Sequence, residues 1–168
     1  MYFMWLTDDE QRVWRNYLEM SARLETAMNR QLQSDCGLSL ADYDVLVALG
    51  EVTGRGREEQ LGGRGREEQS GECRIGELGE RLGWEQSRLS HQLRRMRSRG
   101  LVARANAADD RRAATIGLTD AGRAALAAAA PGHAELVRGL VFADLKAGEL
   151  RALLRWTSGV LSRLDGLA

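Results

Sequence analysis

Leu82 to Val102 reads LGWEQSRLSHQLRRMRSRGLV, and Asp109 to Gly122 reads DDRRAATIGLTDAG. In the first stretch Leu89, Leu93 and Met96 recur at helical spacing, and Gly83 and Gly100 stand where helices stop. The spacing predicts a helix over 85–99. Just upstream, Glu77 to Leu82 predicts a short helix that turns Leu78 and Leu82 inward and ends at Gly83. Downstream, Leu101 to Arg104 and Thr115 to Leu118 predict two short strands around a polar hairpin, Asn106 to Ala113.

Two short helices joined at a glycine and followed at once by a β-hairpin with a basic tip form a winged helix-turn-helix plan. A DNA major groove admits one α-helix, whose side chains meet base edges and phosphates. From Glu85 to Gln92 every residue except Leu89 is polar. Arg88 suits guanine O6 and N7, Gln86 or Gln92 suits adenine, and His91 falls on the same helix as a further contact. Ser87, Ser90, Arg94 and Arg95 suit phosphate positioning. Arg111 and Arg112 in the hairpin suit a minor groove, where negative potential attracts arginine, and Asp110 beside them braces an arginine instead of touching phosphate.

Charge is concentrated in this region. Arg81 to Arg112 holds nine arginines against Glu85, Asp109 and Asp110, a local net of +6, although the chain as a whole is neutral. A basic stretch in a neutral protein is a footprint for a polyanion or simply a solvated face.

Working outward, Thr7 to Glu10 has capping-box spacing and opens a first helix that runs to about Ser34, with Gly37 as its stop. Ser39 to Asp42 opens a second, with Tyr43, Leu46, Val47 and Leu49 inward. Residues 54–62 (GRGREEQLG) and 63–71 (GRGREEQSG) form a tandem repeat rich in glycine and balanced charge, so 51–72 reads as a flexible insertion. Thr119 caps a helix that runs through the alanines to Ala130, where Pro131 and Gly132 bend the chain. A last helix from about Lys146 to Leu164 carries Leu150, Leu153, Leu154, Trp156, Val160, Leu161 and Leu164, a face wide enough for a partner helix.

The two stretches quoted first resemble the MarR family of bacterial regulators. Asp110, Arg112, Leu118 and Thr119 match the family's D-x-R-x5-L-T signature in the wing. The order of elements fits over nearly the whole chain. The resemblance implies a mainly α fold with a small β-wing. Residues 1–36 and 119–168 would form a helical dimerisation region, and 38–118 a winged helix-turn-helix interrupted by 51–72. It implies a homodimer, most often a repressor, that binds a pseudo-palindromic operator with the helix about 85–99 in the major groove and the wing 105–114 at the minor groove. Release by a small aromatic or anionic effector, or by oxidation, is also implied. Two features depart from the pattern: the 51–72 insertion, and Lys146 where the family has a threonine or serine cap.

Other candidates are weaker. Trp14, Arg15 and Tyr17 on the first helix suit an effector pocket for an aromatic carboxylate, though Trp14 equally suits a dimer core. Trp84 reads as a packing residue, and His133 as incidental. Cys36 and Cys73 are too few for a disulfide scaffold and lack zinc spacing. Cys36 lies beside Asp35, with no basic neighbour in sequence, and Cys73 at the edge of the insertion; both read as incidental thiols, with a thiol-based oxidant sensor as one alternative and a protein-interaction adaptor as the other. There is no nucleophile elbow, no phosphate-binding glycine loop and no H-E-x-x-H, so the expectation is no enzyme, no cofactor and no metal. Nothing approaches a membrane-spanning length, and MYFMWL is too short for a secretion signal. The expected setting is the cytoplasm, at the nucleoid, with double-stranded DNA and a second copy of the chain as partners.

Overall fold

A computed structural model describes residues 5–60, 72–106 and 114–167. In chain order it holds α1 (Asp8–Cys36), α2 (Leu40–Gln60), β1 (Glu72–Arg74), α3 (Ile75–Leu82), α4 (Gln86–Ser98), β2 (Val102–Asn106), β3 (Ala114–Leu118), α5 (Asp120–Val137) and α6 (Ala147–Asp165). A five-residue π-helical turn, Arg138–Phe142, follows α5. The fold is mainly α with a small wing, as the sequence predicts. By contacts the chain divides into two compact units, one ending at Pro131 and the other beginning at Gly132.

The capping box at Thr7 forms. Thr7 donates its backbone N–H to Glu10 Oε2 at 2.7 Å, and Glu10 N–H returns to Thr7 Oγ1 at 3.3 Å. Helix α1 spans 29 residues yet buries only Leu32, so most of its length is not covered by this chain's own first unit. Gly37 ends it with φ 64°, a left-handed conformation that glycine adopts without cost.

The core of the first unit gathers Leu32, Leu38, Val45, Leu46, Leu49, Leu78, Leu89, Met96 and Ile116. Helix α2 is central to it. Val45, Leu46, Ala48 and Leu49 are all buried, because α2 packs against α1, α3, α4 and the sheet and not on one side alone. The three strands run in the order β1-β3-β2, both pairings antiparallel. Val102 faces Leu118 at one end of the β2–β3 ladder and Asn106 faces Ala114 at the other.

Three sequence expectations need correction. Residues 51–60 are not a flexible loop, because α2 continues without a break to Gln60. Extending an existing helix costs far less than starting one, so two glycines are tolerated where the composition alone suggested a loop. The rest of the repeat, 61–71, lies outside the described residues. Glu72, also counted in the insertion, belongs to β1, and Cys73 is buried in that strand opposite Ile116, not at a loop edge. Finally, the helix after the wing does not stop at Ala130: Pro131 sits inside α5, which runs to Val137. The alanine-rich run before it is the best helix-forming sequence in the chain, enough to carry the helix past one missing N–H.

In the second unit, α6 opens at Lys146 without a side-chain cap of the serine or threonine kind. Instead Glu149 reaches back and accepts the Lys146 backbone N–H at 2.8 Å. No residue of α6 is buried. Leu150, Leu154, Leu161 and Leu164 form an exposed apolar stripe.

Candidate nucleic-acid interface

Helix α3 ends at Gly83, whose φ of 62° lets the chain turn at once, and Trp84 N–H closes the turn on Gly79 O at 3.0 Å. Helix α4 starts two residues later with Glu85 as N-cap and no side-chain cap bond, so its first-turn N–H groups are open. Leu89, Leu93 and Met96 anchor it to the core. Gln86, Ser87, Arg88, Ser90, His91, Arg94 and Arg95 are all exposed. At 3.6 residues per turn, Ser87, Ser90, His91 and Arg94 fall in the middle of the exposed arc, with Arg88 and Arg95 on its α2 side and Gln86 and Arg97 on its sheet side.

Gln92 is the exception and corrects the expectation that it reads a base. It is 5% exposed. Its Nε2 donates to Asp42 Oδ1 at 2.6 Å, and its Oε1 accepts from Arg95 Nη2 at 2.6 Å. Asp42 is itself buried and collects three further interactions. Its Oδ2 accepts Ser39 N–H at 2.9 Å and Arg99 Nη1 at 2.8 Å, while its own N–H donates to Ser39 Oγ at 3.1 Å. Arg99 Nη2 then donates to Gly37 O at 2.8 Å. The Ser39–Asp42 capping pattern was visible in the sequence, but the hub it becomes was not. It ties the α1–α2 turn to both ends of the second half of α4.

Arg88 lies with its guanidinium carbon 4.2 Å from the Trp84 ring centroid, a cation–π stack that holds it at the start of α4. Trp84 packs against the core, as a packing residue should. On the same side burial pushes the Asp44 carboxyl up, Arg88 pulls it partly back, and Glu25 adds to the rise.

The wing signature has a structural meaning at its described end. Thr119 donates its hydroxyl to Gly100 O at 2.6 Å and accepts Gly122 N–H at 3.0 Å, while its backbone N–H bonds Leu101 O at 3.2 Å. It therefore caps α5 and fastens β3 to the turn that follows α4. Asp110, Arg111 and Arg112 lie outside the described residues.

Trp14 and Tyr17 stack with ring centroids 5.7 Å apart, both rings exposed on α1, and Arg15 is exposed beside them. All three stand on an exposed face of α1. Burial pushes the Cys73 thiol up, Glu77 pushes it further, and Arg81 offsets this only in part. That is the opposite of an activated thiolate. Cys36 is half-buried against the core. Among the described residues no group of His, Cys, Asp and Glu is placed to hold a metal, and no helix is long and apolar enough to cross a membrane.

The model of the MarR family matches residues 68–114, from just before β1 to the start of β3. No curated protein matches the sequence. Among solved structures, Sco3205, a MarR family transcriptional regulator from Streptomyces coelicolor crystallised in complex with DNA, is 34% identical, with 95% of this chain and 94% of that one covered and a TM-score of 0.79. This chain belongs to the MarR family. AbsC, a second MarR family regulator from Streptomyces coelicolor, is 31% identical over 96% of this chain and 98% of its own, with a TM-score of 0.80. A mutant MarR from Escherichia coli complexed with operator DNA is 19% identical, with a TM-score of 0.71 over 89% of this chain and 94% of its own, and it shows the fold alone. Membership places the chain among transcriptional regulators, not enzymes.

Proposed function

We propose that this MarR family regulator binds duplex DNA as a homodimer, with α4 of each copy in a major groove and each wing at the adjacent minor groove of a pseudo-palindromic site. The observation that carries the reading is the outer face of α4. Seven polar and basic residues are exposed there together, on a helix anchored by Leu89, Leu93 and Met96. A relative 34% identical was crystallised with DNA, which supports the same partner here. Arg88 is the base-reading candidate, pre-positioned by Trp84; Ser87, Ser90, Arg94 and Arg95 position phosphate; Gln86 and His91 flank them; Arg111 and Arg112 serve the minor groove with Asp110 as brace.

The dimer is built from the apolar faces that one copy leaves uncovered on α1 and α6. The regulator is a repressor, and a small aromatic or anionic effector releases it by favouring a spacing of the two α4 helices that no longer matches successive grooves. The exposed Trp14–Tyr17 stack with Arg15 beside it supports an effector site completed by the second copy.

The test is a salt titration of binding to DNA from upstream of the protein's own gene, against random duplex. Binding that prefers the upstream DNA and weakens linearly in log K with log[salt] supports the reading. Arg88→Ala then weakens the cognate site by about 1–3 kcal/mol with relaxed sequence preference. Equal, salt-insensitive binding to both duplexes would refute it.

A further inference from the structure

The seven described arginines of the basic stretch divide into two groups. Arg81 pairs with Glu51 at 3.2 Å, Arg88 stacks on Trp84, Arg95 bonds Gln92, and Arg99 is held by Asp42 and Gly37. Arg94, Arg97 and Arg104 have no carboxylate or hydrogen-bond partner among the described residues. These three line one cavity of about 220 Å³, to which Ser90 adds a hydroxyl. Its apolar lining comes from Ile75, Leu93 and Ile116, and Arg94, Arg97 and Arg104 are the charged residues around it.

The cavity lies between α4, which carries Ser90, Arg94 and Arg97, and the β2–β3 ladder, where Arg104 stands opposite Ile116. Three like-charged residues around one cavity repel one another unless an anion joins them. Duplex geometry supplies one. A single phosphate strand separates a major groove from its neighbouring minor groove, so a protein with α4 in one and the β2–β3 wing in the other must straddle that strand.

We propose that Ser90, Arg94, Arg97 and Arg104 form a seat for a backbone phosphate of the strand passing between α4 and the wing. The inference rests on the DNA-binding reading and adds Arg97 and Arg104 to it. Guanidiniums present paired N–H groups that match phosphate oxygens, and the serine hydroxyl offers one more donor. The seat sets register along the duplex and reads no base.

The experiment is the salt dependence of binding for the full-length parent, Arg97→Ala with Arg104→Ala, and Arg97→Lys with Arg104→Lys, each on cognate and random duplex. Both positions are exposed, and thermal unfolding checks that the variants keep the parent fold. The alanine pair is expected to lower the slope of log K against log[salt] by about 1, the value for one phosphate no longer neutralised. Its preference for cognate over random duplex stays at the parent's ratio, and the lysine pair restores most of the slope. An alanine pair with the parent's slope overturns the seat while leaving the DNA reading intact. So does a parent slope combined with a lost response to added inorganic phosphate, which would assign the cavity to a free anion. A parent that shows no salt-dependent duplex binding overturns the DNA reading and the seat with it.

Discussion

Gln92 donates its side-chain amide to Asp42 Oδ1 at 2.6 Å, a bond between two buried side chains that joins α4 to α2. The other carboxylate oxygen holds Arg99, so one acidic residue fixes two positions on and after α4. Asp42→Ala leaves the Gln92 amide without its acceptor in the core and frees Arg99. The partly exposed Arg99 recovers water, so the expected loss is about 2–3 kcal/mol and not the full cost of breaking a buried ion pair. Urea unfolding measures it. A loss below about 0.5 kcal/mol, the scale of an ordinary surface substitution, would show the hub to be energetically idle.

Gly122 makes a different kind of contact. A Cβ built there would lie 2.0 Å from the Leu101 carbonyl oxygen, a backbone atom that cannot rotate away. Gly122→Ala is therefore expected to cost about 3 kcal/mol or more, through a forced separation of α5 from the turn after α4. Gly76→Ala, in α3 with nothing within 4 Å of the added carbon, is the matched control. It is expected to stabilise by about 0.4–1 kcal/mol through the unfolded chain. Melting curves of the two variants should move in opposite directions; equal shifts would contradict the packing read at Gly122.

Much of this was legible beforehand, and the misses have physical causes. The periodicity of Leu89, Leu93 and Met96 between Gly83 and Gly100 specifies α4, because burial on one side and left-handed stops are local properties. The same spacing holds the signal for Gln92, which stands three residues after Leu89 and four before Met96 and so belongs to the buried stripe. Polarity masked it, since a glutamine in that stripe makes sense only with Asp42, fifty residues away. Arg97 and Arg104 were visible as charge, yet their place around one cavity needs the sheet beside the helix. Composition misled twice, at 51–60 and at Pro131, where an established helix carried through residues that would not start one.

Cys73 is predicted to be a poor oxidant sensor. With Cys36→Ser as background, a thiol reagent at neutral pH should label native Cys73 far more slowly than the unfolded chain. The raised pKa also couples to stability. The folded protein holds the Cys73 proton more tightly than the unfolded chain, so the stabilisation is complete below the thiol's ordinary value of 9.0 and is lost as pH rises above it. Cys73→Ala should flatten the alkaline limb of the stability–pH curve. Native labelling at the rate of a free thiol would reverse this view and reopen peroxide sensing at that position.

The apolar stripe of α6 gives the last prediction. Leu154 is 65% exposed and Leu161 61%, one helical face apart by two turns, on a helix that buries nothing within its own chain. Water-facing leucines in such a row are expensive, and a second copy that covers them recovers roughly 25 cal/mol for each Å² of apolar surface removed. Leu154→Asp with Leu161→Asp places two carboxylates in that seam, where each would have to be desolvated without a partner. The pair should convert a dimer to a monomer in light scattering at micromolar concentration. The first unit's core contains neither leucine, so its helical content should persist. Because two half-sites bound together gain from effective concentration, operator affinity should fall by tenfold or more while binding to a single half-site stays near the parent's. A variant that remains dimeric would move the interface away from α6.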